Sequence, residues 1–145
     1  MSEHIEALKS LHTTLIDSRN GYEEALEDAE GKGLTPLFRD MIALRNRDAD
    51  EIAGHLTALG ETVDEKGSFM STVHRTVISV RSVITGLDES ILPALIDGEE
   101  RILEYYDEAI AAASPRSAEH GMLIKQREAL ARKIGEMQRR SEQAA

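Results

Sequence analysis

Apolar residues recur at three- and four-residue steps along almost the whole chain, and the runs are cut by glycine and proline. That spacing lines one face of an α-helix, and the cuts set the lengths of the helices. Over residues 3–29 the stripe holds Leu8, Leu11, Leu15, Tyr22, Ala25 and Ala29, and Gly31 and Gly33 end it. Thr35 before Pro36 reads as an N-cap with proline at the first helical position, opening a helix that runs to about residue 59. Its stripe includes Leu37, Phe38, Met41, Leu44, Ile52, Leu56 and Leu59, and Gly60 takes the C′ position. After a polar loop over 61–68, Phe69, Val73, Val77, Val80 and Ile84 fall on one helical face. The Val, Ile and Thr content of 69–84 favours a strand by propensity alone, but no other segment offers a strand partner, so a helix is expected. Asp88 or Ser90 then caps a helix with Pro93 in its first turn, carrying Leu92, Leu95, Ile102, Tyr106, Ala109 and Ala113. Ser114 and Pro115 repeat the cap-plus-proline device, and a last helix carries Leu123, Leu130, Ile134 and Met137 to about residue 138, with the final SEQAA frayed.

Two helices joined by a short turn, a long connection holding a shorter helix, and two more helices joined tightly make one arrangement natural. Short turns make each pair antiparallel, and the long crossover lets the second and fourth helices run parallel. The expected fold is an all-α, ferritin-like four-helix bundle with a shorter fifth helix in the crossover between the second and fourth helices. It forms a single domain over 1–145, a length sufficient for a core without covalent staples.

Composition removes several classes of function. The absence of cysteine excludes disulfides, thiolate metal sites and cysteine nucleophiles, and points to a cytoplasmic setting. The N-terminal MSEHIEALKS has neither a basic nor an apolar leader region, and no apolar run approaches a membrane span, so no membrane association is expected. A formal net charge of −10, with two Phe, three Tyr and no Trp, argues against nucleic acid. The basic cluster of Lys125, Arg127, Arg132, Lys133, Arg139 and Arg140 complements the acidic remainder and its own helix dipole. No nucleophile triad, phosphate-cradling loop or dinucleotide fingerprint occurs, which leaves the question of an enzyme open.

The stretches DSRNGYEEALE, LFRDMIALR, LTALGE, GSFMSTVHR and DGEERILEYYDEAI together resemble an uncharacterised family of bacterial proteins assigned to the ferritin-like superfamily. The likeness spans 8–113 and is more diffuse in the last helix. It implies the bundle fold and no particular activity, because its motifs are packing and turn residues. Where relatives carry an aromatic after the HR pair this chain has Val77, and Ala131 stands where the family pattern has histidine, which counts against a complete metal site.

A di-iron or di-manganese centre in such a bundle needs carboxylates from four helices and histidine in an E-x-x-H spacing on two of them. No E-x-x-H occurs. The metal candidates are Asp48, Glu51 and His55 in the second long helix and Glu99 at the missing step between Leu95 and Ile102. Asp48 and Glu99 fall at similar depth, and two inward carboxylates need a cation between them. Arg19, Arg45 and Arg127 border the same layer, and guanidinium pairs well with buried carboxylate. The cation is therefore iron or manganese on one reading and arginine on the other, and the missing histidine motif favours arginine, with no cofactor. His12 reads as a boundary residue, His4 and His120 as solvated, and His74 as a tie between the crossover helix and the bundle. The expected role is that of a non-catalytic bundle acting through self-association, as a homodimer, or through a protein partner that the sequence does not name; a metal-binding protein for storage or oxidation is the alternative.

Overall fold

The computed structural model describes residues 2–29, 33–63 and 89–144. These form four α-helices: α1 (Ser2–Ala29), α2 (Thr35–Ala58), α3 (Leu92–Ala112) and α4 (Ala118–Ala144), with a 3-10 turn at Glu89–Ile91 before α3. No strand occurs among the described residues. The shorter helix expected over 69–84 in the crossover, with His74 and Val77, lies outside the described residues.

The helix boundaries depart from the sequence expectation in instructive ways. Thr35 is the first helical residue of α2, and Leu34 stands at the boundary with no side-chain cap; Pro36 still fits the first turn, where its missing N–H costs nothing. Ser90 lies inside the 3-10 turn, and Ile91 precedes α3, again uncapped by a side chain. Before α4 the cap is Ser117 rather than Ser114: its Oγ accepts the His120 N–H at 3.2 Å, while its own hydroxyl and N–H bond back to the Ser114 carbonyl at 2.7 and 2.9 Å. Pro115 therefore belongs to the turn, and α4 continues to Ala144, past the end expected near 138 and through most of the SEQAA segment expected to fray. At the end of α2 the reading held. Gly60 has φ 84°, its N–H bonds the Thr57 carbonyl, and the Glu61 N–H bonds the Leu56 carbonyl, both at 3.0 Å. This is a Schellman ending, in which the residue after the cap adopts a left-handed conformation that glycine reaches without a Cβ clash.

α1 packs along α2 and α3, and α3 along α4. Lys9 meets Glu61 at 2.5 Å, Arg19 meets Asn46 at 3.2 Å, and the rings of Tyr22 and Phe38 meet edge to face, so α1 and α2 are antiparallel. A run of polar contacts, Gly33 O with Arg140, Asp40 with Lys133, Glu51 with Gln126 and His55 with Glu119, makes α2 and α4 antiparallel as well. The turn at 113–117 reverses the chain between α3 and α4. It follows that α2 and α3 run parallel on opposite corners of the bundle. The connection between them has to travel the length of α2, about 36 Å for 24 residues.

The core runs along the middle of the four helices. Leu8, Leu11 and Leu15 of α1, Phe38, Met41 and Ile52 of α2, Leu92, Ile102 and Tyr106 of α3, and Leu123, Leu130 and Ile134 of α4 are all buried. Two expected members of the α2 stripe fall outside it: Leu44 is only half-buried, and Leu59 is 41% exposed. Ile96 is buried where Leu95 is only partly so. No helix among the described residues is long and apolar enough to cross a membrane.

Candidate functional site

The apolar column is interrupted at one level by polar side chains from all four helices. Three-four spacing on α2 places Arg45, Asp48 and Ile52 in line behind Met41, and the same spacing on α3 places Glu99 between Ile96 and Ile102. Arg45 is 0% exposed, Asp48 1% and Glu99 3%. Burial of this depth disfavours charge unless it is paired.

Arg45 and Glu99 supply that pairing for each other across the diagonal of the bundle. Arg45 Nη2 donates to Glu99 Oε1, and Tyr22 Oη donates to Glu99 Oε2 at 2.7 Å. Arg45 Nε donates to Ser18 Oγ at 3.2 Å. α1, α2 and α3 are thus tied at one point. Burial pushes the guanidinium below its usual range, and the neighbouring Tyr22, Tyr106 and Asp48 oppose the shift. Burial likewise raises Tyr22 to about 12 against the attraction of Arg45, so its hydroxyl is a proton donor throughout the physiological range.

A second arm reaches α4 through Gln126. Tyr106 Oη donates to Gln126 Oε1 at 2.8 Å, and Gln126 Nε2 donates to Glu51 Oε1 at 2.8 Å and to the Asp48 carbonyl at 3.3 Å. An amide suits this place because it accepts from one side and donates to the other. Tyr106 is raised by burial, with Asp48 adding to the shift. Asp48 is raised by burial too, and Arg47, whose Nε lies 3.3 Å from Oδ1, and Arg45 act against it.

The arginine candidates separate. Arg45 enters the layer; Arg19 bonds Asn20, Asn46 and Glu23 near the surface, and Arg127 pairs with Asp107 at 2.5 Å on the outer edge of α3 and α4. The metal candidates separate as well. Asp48 and Glu99 share the layer, Glu51 reaches it only through Gln126, and His55 turns away to Glu119 of α4 at 3.4 Å. Glu119 is held below the usual carboxylate range, first by its own backbone N–H at the helix N-terminus and then by His55. Among the described residues no three His, Asp or Glu side chains gather where a metal ion could be held. Both oxygens of Glu99 are engaged, one by a guanidinium and the other by a phenol. His12 is buried rather than at a boundary, and His4 and His120 are half-buried rather than solvated.

Gln126, Ser18 and the Tyr22 hydroxyl are the members that the sequence reading missed. Gln126 carried a usable signal, since it stands between Leu123 and Leu130 at three-four spacing, the same kind of polar interruption that singled out Glu99. Arg45 was found only as a bordering residue because Leu44 filled the stripe equally well.

A family model described as Domain of unknown function (DUF2383) matches residues 3–112. The match covers nearly all of α1, the whole of α2 and α3, and with them Tyr22, Arg45, Asp48, Glu99 and Tyr106. No curated protein and no solved structure matches the chain.

Proposed function

The chain belongs to the family described as Domain of unknown function (DUF2383), and from that premise we propose that it is a non-catalytic helical bundle of the ferritin-like kind, acting through self-association or the binding of a protein partner. The observation that carries this reading is the Arg45–Glu99 pair. In a ferritin-like bundle the inward carboxylates of the middle layer are held together by metal ions; here a side chain of the protein itself supplies the positive charge. The groups that chemistry would need are committed to one another. Glu99 is bonded to Arg45 and Tyr22, and Tyr106 to Gln126. The parallel course of α2 and α3, with a connection that must span the bundle, supports the ferritin-like connectivity.

The test is thermal unfolding of purified protein with and without added iron or manganese, together with metal analysis of protein expressed in supplemented medium. The expected outcome is an unchanged melting temperature and no stoichiometric metal. A melting temperature that rises with either metal replaces this reading by that of a metal-binding protein, because a ligand bound only by the folded state must stabilise it. Self-association is tested separately by sedimentation at micromolar concentration. A homodimer is expected, and a species of only 16.0 kDa leaves partner binding as the role.

A further inference from the structure

Two polar atoms at the centre of the layer lack a hydrogen-bond partner: Arg45 Nη1, a donor, and Asp48 Oδ2, an acceptor. Both belong to side chains on the inward face of α2, one turn apart, and both are almost completely buried. Buried polar groups are nearly always satisfied, so a complementary donor and acceptor left open at the same level call for something between them. Their character restricts the guest. A cation is repelled by Arg45 and an anion by Asp48, which leaves a neutral molecule that both accepts and donates. Complete burial restricts its size to very few atoms. A proton on Asp48 does not resolve the site either, since Arg45 Nη1 would still lack an acceptor.

We infer that a single ordered water is built into this layer, accepting from Arg45 Nη1–H and donating to Asp48 Oδ2 and to the Tyr106 hydroxyl oxygen. Tyr106 is the natural third partner. Its hydroxyl hydrogen is given to Gln126, which leaves the oxygen free to accept, and it is buried in the same polar layer. Three partners match what buried waters ordinarily find. With the water in place, α2 and α3 are joined by a second polar link beside the Arg45–Glu99 pair.

A crystal structure of the wild type at a resolution that shows ordered solvent is the direct test. Density bridging Arg45, Asp48 and Tyr106 is expected; a direct Arg45 Nη1–Asp48 bond, or a dry layer, overturns the inference. Deuteron and oxygen magnetic relaxation dispersion gives an independent count in solution. The Asp48→Leu variant is expected to lose the amplitude of one long-lived water relative to the wild type, and equal amplitudes contradict the inference. If Asp48→Leu does not fold, Tyr106→Phe serves instead: it keeps the shape, removes the third partner, and is expected to shorten the residence time of that water. An unchanged residence time counts against it.

Discussion

Removing the Glu99 carboxylate in two different ways separates a structural ion pair from a surface acid. In Glu99→Leu, Arg45 keeps its charge at 0% exposure and loses its anionic acceptor, keeping only the Ser18 hydroxyl, and Tyr22 loses the acceptor of its hydroxyl at the same stroke. Breaking a buried pair by deleting one partner costs about 3–5 kcal/mol. That is a large share of the roughly 5–15 kcal/mol that holds a domain folded. In Glu99→Gln an oxygen remains for one of the two donors, but the amide NH2 now faces the other. The Tyr22 hydroxyl can turn to accept from it, so the expected loss is about 1–2 kcal/mol. The assay is urea denaturation followed by circular dichroism. The expected order is wild type, then Gln, then Leu, with the Leu variant melting roughly 10 °C or more below wild type. Adding Arg45→Met to Glu99→Leu should restore part of the loss, since the unpaired guanidinium is gone, while Asp48, Tyr106 and Gln126 keep the layer polar. Gln and Leu variants that unfold together with the wild type would refute the reasoning and place Glu99 in water.

Other consequences follow from the same layer and from the turns. Asp48 is raised by burial, so its folded value exceeds its unfolded one; the linked stability is full below the unfolded value and is lost as pH rises through the folded one. Asp48→Asn should therefore remove this component, and the gap between wild-type and variant urea midpoints should change in favour of the wild type as pH falls through the acid range. Tyr22, raised to about 12, and Tyr106, also raised, should stay protonated at a pH of about 10, where a free phenol is half-ionised. Spectrophotometric titration checks this, and ionisation of all three tyrosines in the folded protein at that pH would contradict the burial. Gly60→Ala should cost about 1 kcal/mol through the strain of φ 84° alone, because an added Cβ meets nothing within 4 Å. A neutral result in a urea titration would mean that the Schellman turn relaxes.

The helices were legible because their information is local. Three-four periodicity and the glycine after Leu59 fix a helix and its end without reference to the rest of the chain, and most buried positions of α1, α3 and α4 followed from the stripes, although Ile96 is buried where Leu95 was expected. The caps were less legible. Three serine or threonine residues stood in plausible places, and which of them bonds a backbone N–H depends on the path of the turn, so Ser117 took the role expected of Ser114. At the candidate site, Asp48 and Glu99 were readable as acids interrupting apolar stripes. Which arginine would answer them was not. Arg19, Arg45 and Arg127 all lie within reach of the layer by sequence, and only the rotation of each helix about its own axis puts Arg45 inside and the other two at the rim. That rotation is set by packing against neighbours far away in the chain.

The diagonal course of the Arg45–Glu99 pair has a consequence for alternative alignments of the chain. It joins helices from opposite hairpins, so it tests whether the hairpins have been assembled at the right height. Leucine and isoleucine are nearly indifferent to a shift of one turn, since one apolar contact replaces another. The guanidinium is not. Sliding α3 by one turn in either direction would set Arg45 against Leu95 and Ile96 or against Ile102 and Leu103, none of which offers a side-chain acceptor. A slipped assembly would thus confine a charge in hydrocarbon, and the hairpins are left with one alignment in which Arg45 meets a carboxylate.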